Sequence, residues 1–203
     1  MKKVILSLFI LSCALNFLFA VQDDFSKTKE AMKLNKKPDG RSIIVTNNFY
    51  DLIVQDVGDG LGTYTVRTGS SHPATIAMGS KQNVLYGGAS GSPWSTYLSV
   101  KSYSSNRIYV TNSYATIPDT GYVTIQLDPY VAVTQPSPTS ILSTWNLSGE
   151  QPDSLRIEQR TYIEGTTLDD SKIGVTTKVK NIGATPRQIG IRYEWDIMID
   201  CFD

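Results

Sequence analysis

Cysteine and histidine are nearly missing from this chain: 203 residues hold two cysteines and one histidine. Cys13 lies inside an N-terminal apolar run and Cys201 is third from the end, so removal of a leader leaves a single cysteine and no intramolecular disulfide. The domain must be held by its core. His72 stands alone in Ser70-Ser71-His72-Pro73, with no second imidazole and no mature-chain thiol nearby, which denies zinc a ligand set and leaves a surface histidine. Excess charge of one sign is missing too, with 19 Lys and Arg against 19 Asp and Glu. Without residues 1–20 the balance is 17 against 19, a net of −2 that excludes a nucleic-acid footprint.

Long apolar runs occur in one place only. Lys2 and Lys3 precede a run from Val4 to Phe19 broken by Ser7, Ser12 and Asn16, and Val21-Gln22-Asp23-Asp24 then turns polar and acidic. That is the n-region and h-region of a secretory leader, with cleavage expected after Ala20. The run falls slightly short of the roughly 20 apolar residues of a membrane-crossing helix. An uncleaved anchor is one alternative, and a lipoprotein is the other, because Ile10-Leu11-Ser12-Cys13 loosely resembles a lipobox. The expected location is secreted, periplasmic or cell-surface, with membrane contact only through the leader during export.

The 183 residues after the leader suit a substantial core. Residues 21–41 are polar, with Lys27, Lys29, Lys33, Lys36, Lys37 and Arg41 among them, and read as a linker or short helix ended by Pro38-Asp39-Gly40. From Ser42 onward the chain changes to short runs rich in Val, Ile, Tyr and Thr, bounded by Gly, Pro, Asn, Asp and Ser. Runs at 42–47, 50–57 and 62–68 are followed by others at 83–86, 96–101, 107–111, 121–127 and 130–134. Those at 140–147, 154–164, 172–181 and 187–196 complete the set. Gly58-Asp59-Gly60 predicts a hairpin turn. In 172–180 the apolar Ile173, Val175 and Val179 alternate with Lys172, Lys178 and Lys180, the pattern of a half-buried antiparallel strand. About a dozen strands without a helical period predict an all-β domain over 42–203, a large two-sheet antiparallel β-sandwich.

Chemistry-bearing constellations are sparse. Gly88-Ala89-Ser90-Gly91-Ser92-Pro93 resembles the nucleophile segment of chymotrypsin-like serine proteases, but His72 stands only eighteen residues before Ser90, against the long separation that fold requires. Glu194, Asp196, Asp200 and Asp203 crowd the C-terminus, and in an extended strand Glu194 and Asp196 share a face about 7 Å apart. Such oxygens suit calcium. A paired-carboxylate glycosidase site is the second reading, and satisfaction by Arg192 or backbone donors is the third. Aromatic residues offer a binding handle, with Trp94, Tyr103, Tyr109, Tyr114 and Tyr122 as candidate ligand-binding positions and Trp145 and Trp195 beside them. Core positions are expected for at least two of the three tryptophans. Asn146-Leu147-Ser148 fits a glycosylation sequon.

The stretch Ile163-Glu164-Gly165-Thr166-Thr167-Leu168-Asp169-Asp170-Ser171, the piece Lys178-Val179-Lys180-Asn181-Ile182-Gly183, and Ile189-Gly190-Ile191-Arg192-Tyr193-Glu194-Trp195-Asp196 together resemble a family of exported bacterial and archaeal β-sandwich proteins. Ser92-Pro93-Trp94-Ser95 is similar to an earlier motif of that family, and Lys-Asn-Ile-Gly is similar to the turn of CARDB-type adhesion modules. The resemblance implies an envelope or surface protein and an N-terminal fragment whose relatives continue past the position of Asp203.

Three functional classes follow: an exported interaction or adhesion module without catalytic activity, a carbohydrate-binding region accompanying an enzyme domain, and an enzyme within this chain. The absence of a complete catalytic constellation favours the first. Its partners would be an envelope polymer, a polysaccharide or a surface protein, with no nucleic acid and no cofactor other than a candidate calcium ion. Trp94 and two or more tyrosines lining one sheet face would favour sugar binding, and their burial would favour the interaction module.

Overall fold

A computed structural model describes residues 42–58, 60–85, 93, 96–111, 121–148 and 153–197. Eleven strands are present among them: β1 (Ser42–Thr46), β2 (Tyr50–Gln55), β3 (Tyr64–Thr68), β4 (Tyr97–Ser102), β5 (Arg107–Val110), β6 (Val123–Gln126), β7 (Val131–Ser137), β8 (Ser140–Leu147), β9 (Leu155–Glu164), β10 (Lys172–Asn181) and β11 (Ile189–Glu194). One short helix, α1 (Pro73–Met78), and a 3-10 turn at Asp128–Tyr130 interrupt them. The domain is all-β and sandwich-like, as its periodicity predicts.

The longest sheet has the order β10-β9-β8-β7, antiparallel throughout. Its strands show why a period of two makes a layer. On β9, Leu155, Ile157, Gln159, Thr161 and Ile163 are buried, while Arg156, Glu158, Arg160, Tyr162 and Glu164 alternate outward. On β8, Ile141, Ser143, Trp145 and Leu147 lie on the same inner face.

Two smaller sheets, β1-β2-β3 and β11-β4-β5-β6, together cover that inner face. Ile141 and Ile163 pack with Val45, Leu52, Val54, Tyr64 and Val66 of the first. Trp145, Leu147, Leu155 and Ile157 pack with Leu98, Val100 and Tyr109 of the second. Isolated bridges Arg67–Asn83 and Leu85–Ile197 link the edge of β3 to the chain beyond β11, so the second layer is nearly continuous. Only β5 and β6 pair in parallel among the described strands.

Between the two apolar clusters the inner face turns polar at Ser143 and Gln159, which pair directly across β8 and β9. Gln159 Nε2 donates to the carbonyl of Gly62 at 2.9 Å, tying the β2–β3 hairpin to the long sheet. Gly62 has φ +81°, and a Cβ built there would lie 2.4 Å from Cζ2 of the fully buried Trp145. Only glycine meets both conditions.

Tertiary anchors are polar as well as apolar. Asn47 Nδ2 donates to the carbonyls of Glu164 and Gly165 and to Ser171 Oγ, while its Oδ1 accepts from the amides of Phe49 and Tyr50. One side chain thus shapes the β1–β2 turn and pins it to the β9–β10 hairpin. Within that hairpin, Asp170 Oδ1 accepts from the amides of Thr166 and Thr167, and these bonds, led by the Thr167 amide, hold its carboxyl below the ordinary aspartate value.

Candidate functional site

The outer face of the β11-β4-β5-β6 sheet gathers most of the described candidate residues. Alternation along β4 sends Leu98, Val100 and Ser102 inward, each fully buried. Tyr97, Ser99 and Lys101 take the other side, and Tyr103 continues their parity. Lys101 Nζ lies 3.6 Å from the ring centroid of Tyr122 and 5.1 Å from that of Tyr103, a cation held between two aromatic faces. Gly190 is the register partner of Lys101 on β11, and a Cβ there would come within 3.2 Å of the Tyr103 hydroxyl, so the missing side chain lets Tyr103 lie against the sheet.

Beneath these rings, Ile108 and Val110 of β5 are buried, with Tyr97 and Tyr122 packed on them. Tyr103 keeps 46% of its surface exposed. Glu194 sits opposite Tyr97 and Arg192 opposite Ser99, and Arg192 Nη2 binds Glu194 Oε2 at 2.5 Å. Burial raises the Tyr97 pKa, the Glu194 charge raises it further, and Arg192 opposes. The phenol therefore stays neutral and available as a donor. The whole is a platform of three tyrosines flanked by a lysine and an arginine–carboxylate pair, mounted on a sheet. It can stack a ring and hydrogen-bond its edge substituents.

Of the five proposed ligand-binding aromatics, Tyr103 and Tyr122 meet here. Tyr109 does not, which corrects its place among the candidate ligand-binding positions. It pairs with Val100 on the inner face, is fully buried, and its hydroxyl donates to Asp153 Oδ2 at 2.8 Å. The cause is parity: Tyr109 stands between Ile108 and Val110, so both faces of β5 are apolar and the pattern alone does not say which face turns inward. Trp94 and Tyr114 lie outside the described residues, as do Ser90, Asp200 and Asp203. Trp145 is in the core, and Trp195 is exposed beside Tyr193.

Glu194 is taken up by Arg192, and Asp196 lies just past the end of β11. Among the described residues no three acidic, histidine or cysteine side chains come together to hold a metal. His72 has a structural task that its loop-like setting does not reveal. It caps α1, its Nδ1 accepting from the Ala74 amide at 3.1 Å, and its ring meets Tyr50 edge-on.

Two buried carboxylates, Asp51 and Asp153, are engaged by the fold. Asp51 is held by Arg67 Nε at 2.9 Å and Lys81 Nζ at 2.6 Å. Burial pushes its pKa up, yet the hydrogen bonds from Lys81, Arg67 and Thr46 prevail and leave it below the ordinary value. Asp153 binds Arg187 Nε at 3.1 Å and accepts from Ser105 and Tyr109; burial again works upward and these partners, with Ser102 and the Arg187 charge, bring it below normal. Each joins elements distant in sequence and presents nothing to a ligand.

Lys101 and Tyr97 are the members of the platform that sequence reasoning missed, whereas Arg192 is the partner it named for Glu194. The Lys101-x-Tyr103 spacing puts both on one strand face, but the opposing Gly190 lies 87 residues further on and nothing local marks the pair. No family model, no curated protein and no solved structure matches this chain.

Proposed function

We propose that this chain is an exported, non-catalytic binding module whose aromatic platform on the outer face of β4 takes a saccharide. The observation that carries the reading is the convergence of Tyr103 and Tyr122 about Lys101 on an outward-facing sheet surface. A pyranose ring offers C–H groups to an aromatic face and hydroxyls at its rim. Tyr103 supplies the first kind of contact, and Lys101, Arg192 and Glu194 the second. Lys101, Arg192 and Glu194 sit on strands, with Tyr103 one residue past β4 and Tyr122 one residue before β6, so the backbone that carries them is set before binding and little of its conformational entropy is lost. The leader at residues 1–20 and the resemblance to exported β-sandwich proteins support a place in the envelope or outside the cell, where such polymers are met.

A glycan array probed with the full chain tests this. Binding above background to a defined set of glycans, weakened about tenfold by Tyr103→Ala, is the expected result, since loss of one stacking contact is worth about 1.4 kcal/mol. A blank array, or binding indifferent to Tyr103→Ala, would contradict it.

A further inference from the structure

The outer face of the β10-β9-β8-β7 sheet carries a different chemistry from the aromatic platform. Arg156 and Arg160 on β9 and Lys172, Lys178 and Lys180 on β10 all point away from the core. Glu158 and Glu164 are the carboxylates among them, so this one face holds a net charge of +3 in a chain whose total is zero.

The register places Arg156 directly opposite Lys180, with Lys178 two residues along the same face. Like charges directly opposite each other destabilise a sheet, and Glu158, 2.8 Å from Arg156 Nε, offsets only part of that. Lys178 and Lys180 form no ion pair among the described residues. By contrast Arg67 and Lys81 are spent on Asp51, Arg187 on Asp153, and Arg192 on Glu194. Glu158 also stands directly opposite Lys178, so this one carboxylate faces Arg156, Lys178 and Lys180 together and leaves the cluster net positive, a local conflict of the kind that marks a functional surface.

A shallow groove runs between Arg156, Glu158, Lys178 and Lys180. Neutral hydrogen-bonding groups border it: Asn146 is the partner of Arg156 across β8, and Thr144 that of Glu158. Tyr162 lies across Gly174 with the Arg160 guanidinium 5.8 Å from its ring.

We propose that this face docks an acidic polysaccharide, with carboxylates seated on Lys178, Lys180 and Arg156 and hydroxyls on the bordering Thr144 and Asn146. Charge complementarity selects a polyanion, and the mixture of cations with neutral donors suits sugar acids. A bilayer is disfavoured because the large apolar side chains on this face, Leu142 and Tyr162, are half-buried and offer little to insert. A nucleic acid is disfavoured by the neutral total charge. The site lies on the opposite layer from the aromatic platform and goes beyond it, so the two stand or fall separately.

The test measures binding of the full chain to polygalacturonate at low salt, with neutral dextran, phosphatidylglycerol vesicles and poly(dT) alongside. Binding to polygalacturonate that weakens as salt rises is expected, with little to the other three. Lys178→Glu combined with Lys180→Glu should weaken it about tenfold or more, because two attractive contacts become repulsive. The same pair should leave Tm about unchanged, since Lys180→Glu turns a like-charge pair with Arg156 into an opposite one while Lys178→Glu does the reverse opposite Glu158. Lys178→Gln with Lys180→Gln supplies a milder version of the loss, and Ile76→Ala on the exposed α1 should leave polygalacturonate binding intact. Absent binding, binding unaffected by both lysine double variants, or equal or tighter binding to vesicles or poly(dT) would overturn the proposal.

Discussion

Asp153 is fully buried, and its charge is tolerable only because Arg187, Tyr109 and Ser105 surround it. Removing the carboxylate takes a buried charge partner from the Arg187 guanidinium and the acceptor from the Tyr109 hydroxyl. Asp153→Ala is therefore expected to cost about 3–5 kcal/mol in urea unfolding, against under 1 kcal/mol for Glu164→Ala on the exposed face. The same residue explains why Tyr109 was misread: nothing near position 109 announces a carboxylate 44 residues further on. His72 is the converse case. Pro73 at the first helical position and Gly79 at the end are local signs of a helix, and the six-residue α1 between them buries no residue, so it leaves no apolar stripe to be noticed.

At the scale of elements, strands were legible wherever one face is wet. β8 and β10 have the bounds their patterns predict, 140–147 and 172–181, because alternation fails abruptly at both ends. Strand direction and sheet membership were not legible. The parallel pairing of β5 with β6 and the assignment of β11 to the edge of β4 depend on contacts between segments far apart in sequence. Of the segment expected as a strand at 83–86, the described residues 83–85 contribute single bridges at Asn83 and Leu85. The β2–β3 hairpin offers a sharp test of the layer packing. Gly62→Ala adds a methyl group against Trp145 at a backbone angle that disfavours side chains, and is expected to cost about 2–4 kcal/mol. Near-ultraviolet circular dichroism should report the displaced indole.

For the whole molecule, stability should depend on acid in a defined way. Asp51 and Asp153 both have native pKa values below the ordinary 3.8, so the unfolded chain binds their protons more readily. Their contribution is complete above the unfolded value and is lost as pH falls through the native values. The urea midpoint should therefore be flat from neutrality to about pH 5 and fall steeply below pH 4, and Asp153→Asn should shrink that fall. The sandwich itself supports two outward surfaces of unlike chemistry, one aromatic and one basic, on opposite layers. Amide NMR of the full chain titrated with a neutral saccharide selected on the array tests the central claim most directly. The account predicts shifts concentrated at Lys101, Tyr103, Tyr122 and Gly190, with β9 and β10 unmoved. Shifts centred elsewhere, or none at saturating saccharide, would contradict it.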